Sequence, residues 1–413
     1  MSEQSAEGEA GRPGHGRLPS AIWALGLVSL FMDVSSEMIH ALLPLYMTAS
    51  LGASALIVGV IEGIAEATAA VTKVFSGMLS DWIGRRKGLA VLGYGLAAVT
   101  KPIFPLGGTL FWVVAARFLD RVGKGIRGAP RDALIADLTP AGMRGAAFGL
   151  RQSLDTVGAV LGPLLAIVLM WLLAGDIRQV FWAAVLPAFL SVLVLVVFVR
   201  EPERKTASVR ERPLLSRQAM ARLGGRFWMV VLVAAIFTLA RFSEAFLLLA
   251  ATARGVDFGF VPLVLVGLNL AYAASAWPVG RLADRRGRVG LLAVGMGILI
   301  AADMVLALSS GLVGLTIGVM LWGLHMGFTQ GVLAAIVADA VPEDLRGTGF
   351  GVYNLVAGGA LLLASVIAGA LWSGIGPQAT FLAGAGLAAT AALCLIPLAR
   401  LLPKQKAKPQ GTR

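Results

Sequence analysis

Apolar residues run along this chain in stretches about as long as a bilayer is thick, and short polar clusters separate them. At about 20 residues per crossing, twelve segments emerge. They lie at 21–46, 54–79, 88–105, 109–136, 145–171 and 181–199, and again at 227–251, 260–281, 289–308, 313–340, 348–371 and 379–400. The pattern predicts an all-α polytopic membrane protein of twelve transmembrane helices. Its organisation reads as a polar tail (1–20), a six-helix bundle (21–199), a charged linker (200–226), a second six-helix bundle (227–400) and a tail (401–413). No short apolar run with a small-residue cleavage site precedes segment 1, so that segment reads as an anchor. Apolar residues are 57% of the 413 and charged residues 14%, against roughly 25% charged in soluble domains.

The six-and-six grouping is matched by an internal repeat. Gly77-Met78-Leu79-Ser80-Asp81-Trp82-Ile83-Gly84-Arg85 at the end of segment 2 returns as Gly280-Arg281-Leu282-Ala283-Asp284-Arg285-Arg286-Gly287-Arg288 at the end of segment 8. Asp137, Pro140, Arg144-Gly145 and Phe148-Gly149 return, 202 positions on, as Asp339, Pro342, Arg346-Gly347 and Phe350-Gly351. Two phrases at nearly one offset mark a duplicated half, and duplicated halves in so apolar a chain are the build of a secondary transporter.

Charge then orients the chain. The net charge is +12, and the excess lies on one side of the predicted membrane. Arg85, Arg86 and Lys87, Arg144, the linker arginines, Arg288, Arg346 and the tail lysines share that side, whereas the opposite loops hold Arg178 and Arg254. The positive-inside rule makes both termini and the linker cytoplasmic. Topology thus accounts for the charge, and nucleic acid is not an expected partner. Cys394 is the one cysteine, which excludes an intrachain disulfide, and the three histidines form no metal-ligand spacing. No nucleophile–base pair or phosphate-binding loop stands out, so neither an enzyme, an ATP-driven pump nor a resident cofactor is expected.

Ionisable residues inside the segments carry the candidate chemistry, because each costs about 2.5–3.5 kcal/mol on insertion scales. Asp33, Glu37 and His40 share one face of segment 1; Glu62, Glu66 and Lys73 share one face of segment 2. On segment 4, Arg117, Asp120, Arg121, Lys124, Arg127 and Arg131 fall within an arc of roughly 120° at 100° per residue. Such a face must line an aqueous cavity or meet acidic partners, which segments 1 and 2 offer. At the repeat offset the first five of these positions become Val319, Trp322, Gly323, Met326 and Thr329, so the charge is not duplicated and the chemistry belongs mainly to the first half. Arg241, Glu244, Asn269, His325, Gln330 and Asn354 are the second half's polar contribution. Asp33, Glu37, Glu62 and Glu66 are candidates for proton carriage, or else permanent partners of segment 4. Arg117, Asp120, Arg121 and Lys124 are candidates for substrate binding; Arg121 and Lys124 suit an anionic group, or else serve as counter-ions.

The Gly77–Arg86 phrase resembles motif A of the major facilitator superfamily, and Gly280–Arg288 resembles its weaker second copy. Arg117-Phe118-Leu119 with Gly123 and Gly125 is similar to motif B, and Gly149, Gly158 and Gly162-Pro163 are similar to motif C of antiporter-type exporters. The motif's final Gly-Gly is replaced by Ala166-Ile167, and Trp82 stands at a usually basic position. The resemblance implies two pseudo-symmetric six-helix bundles working by alternating access. It implies a conformational switch at Gly77, Asp81, Gly84, Arg85 and Arg86, and at Gly280, Asp284, Arg285, Gly287 and Arg288. Motif C further implies export, by a single copy in a bacterial-type inner membrane; the carboxylates of segments 1 and 2 suggest that protons drive it, and the basic face of segment 4 suggests a small amphipathic or anionic substrate. Import or exchange of an organic or phosphorylated anion is the alternative.

Overall fold

Each apolar segment becomes a crossing helix, and one of them is broken. The computed structural model describes residues 18–83, 85–201, 217–342 and 345–401. Gly84, most of both tails and most of the 200–226 linker lie outside the described residues. The first half contains α1 (Ser20–Leu45), α2 (Ala55–Ile83), α3 (Arg86–Thr100), α4 (Leu110–Leu138), α5 (Arg144–Leu172) and α6 (Ile177–Phe198). The second contains α7a (Gly225–Leu239) with α7b (Ala245–Ala253), α8 (Leu263–Arg286), α9 (Arg288–Leu308), α10 (Leu312–Ala340), α11 (Arg346–Gly374) and α12 (Pro377–Leu401).

Ten described helices are long and apolar enough to cross a membrane. The two exceptions are informative. Helix α4 is long enough, but its charges disqualify it as a lipid-facing span. The 227–251 segment, read from sequence as one helix, leaves helical geometry at 240–244. Neither Gly nor Pro marks this break. Ser243 supplies it instead: its Oγ accepts the Ala245 amide at 3.2 Å, and its own amide donates to Ser365 Oγ on α11 at 3.3 Å. Side-chain oxygens thus satisfy backbone groups that the interruption frees.

The two halves repeat their packing. Helix α1 packs on α5 and α6, and α4 on α2 and α3; likewise α7a packs on α11 and α12, and α10 on α8 and α9. The halves meet where α2 lies along α11, α5 along α8, and α1 against α7b. Gly59 permits the first approach, since a Cβ there would collide with the Ser365 carbonyl. Outward faces carry exposed Phe75, Leu92, Phe111, Leu186, Leu193 and Val197, as a lipid-facing surface requires.

The repeat extends to side-chain geometry. Arg86, the first residue of α3, pairs with Asp137 at 2.7 Å and donates to the Ala133 carbonyl. Arg288, the first residue of α9, pairs with Asp339 and donates to the Ala335 carbonyl. All three positions are offset by 202, whereas Asp81 and Asp284 are offset by 203. The extra residue is absorbed in the turn, since residue 84 and Arg85 separate α2 from α3 while Gly287 alone, at φ +82°, separates α8 from α9.

Candidate substrate cavity

The basic face of α4 is neutralised almost residue by residue. Arg117 pairs with Glu62 of α2 at 2.6 Å, and Arg121 with Glu66 at 3.2 Å. Glu62 and Glu66 are four apart, as are Arg117 and Arg121, so two turns of each helix match. Asp120 pairs with Lys101, just past α3, at 2.8 Å, and Arg127 approaches Asp33 of α1 at 4.0 Å. Arg131 pairs with Asp132 at 3.1 Å and reaches Ser29 Oγ at 3.2 Å. Arg127 also stacks on the Tyr94 ring, 4.8 Å from its centroid. Lys124 differs: it is exposed and has no ion-pair partner among the described residues.

Between the halves lies a cavity with a wide outer part of about 580 Å³ and an inner part of about 320 Å³. Asp33, Glu37, Glu66 and Lys124 line the outer part from the first half; Arg241, Asn269, Gln330 and Asn354 line it from the second. It extends past Lys73, Arg131 and Gln152 toward the end of the bundle carrying the α2–α3 and α4–α5 connections. The inner part ends on His40, Glu62, Phe242 and Trp322. There Glu37 and His40 form a pair at 3.2 Å. Arg241, Phe242, Ser243 and Glu244 all face the inner part. Four consecutive residues of an intact helix could not do so, so the α7 break is what turns Arg241 and Glu244 together into the cavity. Glu244 and Arg241 have no ion-pair partner among the described residues, and Arg241 stacks on Phe237 at 5.8 Å.

Other sequence candidates lie elsewhere. Arg117 and Asp120 are buried within their ion pairs and do not line this cavity. His325 is fully buried between the rings of Phe237 and Trp322, with neither ring nitrogen bonded. Of the switch residues, Gly77 faces Ala129 of α4, Gly280 faces open space and Arg85 is exposed. Gly84 and the side chains of Asp81, Asp284 and Arg285 lie outside the described residues.

Lys101, Arg151, Asp155 and Asp303, four charges inside apolar segments, carry no expectation from the sequence. Arg151 pairs with Asp155 at 3.1 Å on α5, and Asp155 lines the outer cavity. Lys101 is the buried partner of Asp120. Asp303, fully buried, accepts the Trp322 indole N–H at 3.0 Å. These pairs are repeat equivalents, since 101 and 303, and 120 and 322, are each offset by 202. The rule that flags α1, α2 and α4 applies equally to all four.

The motif C glycines stand against the carboxylates of α1. A Cβ at Gly158 would sit 3.0 Å from Asp33 Cβ, and one at Gly162 would sit 2.7 Å from Glu37 Cβ. Gly149 has nothing within 4 Å. Small residues thus bring α5 onto α1 at the two acidic positions.

The family model described as Major Facilitator Superfamily matches residues 25–364 and 240–413. The chain belongs to the major facilitator superfamily. It is therefore a membrane transporter, with the family and fold of transport proteins rather than enzymes. It is 33% identical over 385 residues to an uncharacterized MFS-type transporter of Methanocaldococcus jannaschii, covering 92% of this chain and 95% of that one. It is 26% identical to the inner membrane transport protein YajR of Escherichia coli, covering 89% of this chain and 81% of that one. Among solved structures, a bacterial homolog of the human lysosomal transporter Spinster, inward-facing and occupied, superposes with a TM-score of 0.77. The alignment covers 96% of this chain and all of that one at 17% identity, a likeness of fold alone.

Proposed function

We propose that this transporter is a proton-coupled antiporter. It exports a small amphipathic or anionic organic compound by alternating access in a bacterial-type inner membrane, with both termini cytoplasmic. One observation carries the reading: the antiporter-like glycines Gly158 and Gly162 press α5 against α1 at Asp33 and Glu37, and both carboxylates line the cavity. The chemistry follows from the pairing. An ionised carboxylate in that wall neutralises a neighbouring cation; a protonated one does not. Proton binding at Asp33, Glu37 or Glu66 therefore changes the charge presented to a ligand and the attraction holding α1 and α2 to α4. A group exposed in turn to each side of the membrane then couples inward proton flow to outward substrate flow.

A second reading, import or exchange of an organic or phosphorylated anion, is favoured by the unpaired Lys124. Proteoliposomes carrying an internal pH dye separate the two. Under an imposed pH gradient, organic anions, cations and neutral compounds are added to wild-type protein and to Glu37→Gln. Antiport predicts substrate-triggered proton counter-movement that the substitution abolishes. Labelled-substrate exchange with no proton movement for any compound would sink antiport and leave the anion exchanger.

A further inference from the structure

Once the internal ion pairs are set aside, four charges lining the cavity have no ion pair among the described residues: Lys73, in the outer part alone, and Lys124, Arg241 and Glu244, which reach the inner part. The three at the inner part are divided between the halves, with Lys124 on α4 and the other two on the α7 break. They differ in depth as well. Lys124 and Arg241 line both the outer and inner parts, whereas Glu244 lines only the inner part. Phe242, Trp322 and Met326 give that inner part an apolar wall. A cation pair at the entrance, a carboxylate beyond it and an aromatic side wall form a dipolar site.

We infer that the substrate is a small zwitterion with an apolar body, such as an amino acid or a close derivative. Its anionic group lies between Lys124 and Arg241, its ammonium group faces Glu244, and its apolar body lies on Trp322 and Phe242. The inference rests on reading this cavity as the substrate site of an antiporter and sharpens that reading. The groups facing Glu244 are His40, Glu37 and Glu66 from the first half and Arg241 from its own segment. An ammonium group there sits among carboxylates that also take protons, so substrate cation and proton exclude one another. That exclusion gives the proposed antiport a direct route through the ammonium group. An inner part of about 320 Å³ lies near the lower bound of small-molecule sites, roughly 300 Å³, and suits a metabolite of this size. A bridging anion held by one cation from each half also gives the ligand a direct grip on both moving bodies.

Equilibrium binding to the purified full-length protein tests this without requiring coupling, so its failure is separable from failure of the antiport reading. The probes are two matched triads, built on leucine and on tryptophan: the zwitterion, its carboxamide, which is only cationic, and its des-amino acid, which is only anionic. The zwitterion of at least one triad is expected to bind about tenfold or more tighter than either analogue, as loss of a charged hydrogen bond implies. Glu244→Gln is expected to bind that zwitterion and the des-amino acid alike, and Lys124→Gln, which keeps Arg241, to lose part of its preference for the zwitterion over the carboxamide. Retained binding of the matching analogue shows that each variant is folded. Equal wild-type affinity for zwitterion and des-amino acid, unchanged discrimination in Glu244→Gln, or no binding in either triad overturns the proposal.

Discussion

Replacing Gly162 by alanine tests how closely α5 must approach α1. The added Cβ would stand 2.7 Å from Glu37 Cβ, 2.8 Å from the Val34 carbonyl oxygen and 3.2 Å from the Met38 amide nitrogen. Two of these atoms belong to the α1 backbone and none to a flexible side-chain end, so rotamer changes give no relief. Ordinary contact begins near 3.4 Å, and opening from 2.7 to 3.4 Å requires the helices to part by about 0.7 Å. Overpacking of this kind costs about 1–3 kcal/mol, while Gly→Ala in a helix returns about 1 kcal/mol. Gly149→Ala is the control, because it makes the same chemical change on the same helix and meets nothing within 4 Å. The difference between the two variants isolates the packing cost, about 1–3 kcal/mol. Gly158→Ala, whose nearest atoms are at 2.9 and 3.0 Å, should fall between them. Unfolding in detergent gives the stability order, and substrate-driven proton flux gives the functional one. The flux should fall in Gly162→Ala, because the displacement acts on Glu37 itself. If the three variants unfold alike and pump alike, the glycines have no role in setting the carboxylates, and the argument from motif C fails.

The buried Glu62–Arg117 pair should behave as a unit. Glu62→Gln or Arg117→Met alone strands a buried charge and should cost about 3–5 kcal/mol, whereas the double replacement recovers most of the loss; a double-mutant cycle of unfolding free energies reads the coupling. In the second half, Asp303→Asn keeps an acceptor for the Trp322 indole and should be close to neutral. Asp303→Ala leaves that N–H buried and unpaired, at about 1–3 kcal/mol, a contrast measurable by thermal unfolding together with the indole fluorescence of the cavity wall.

The spans and the duplication were legible because each is a one-dimensional property. Segment length and apolarity announce a crossing, and an offset of 202 announces a copy that reaches the Arg86–Asp137 and Arg288–Asp339 pairs. The α7 break was not legible. Its signal is a serine hydroxyl that acts only once Ser365 of α11 is beside it, and Gly or Pro, the usual marks, are missing. The charged face of α4 was visible in its spacing, as were the carboxylates of α1 and α2 that meet Arg117, Arg121 and Arg127. Which of its cations would stand free was not read, although the register of two helices decides it.

Helices α2 and α4 are two crossings apart and so run in the same direction, and their charges keep step: Glu62 and Glu66 meet Arg117 and Arg121. Continuing the match by one more turn brings Lys124 to the level of Ala69 and Ala70, where α2 offers no third carboxylate. The following cation, Arg127, approaches α1 instead, at Asp33. Lys124 therefore stands alone because the acidic series on α2 stops one turn short of the basic series on α4. It stops at the level where the cavity widens and where α7, interrupted, brings Arg241 across from the other half. Under the proposed zwitterion site, the charge that the fold leaves facing water on α4 is the one whose counter-ion the ligand supplies.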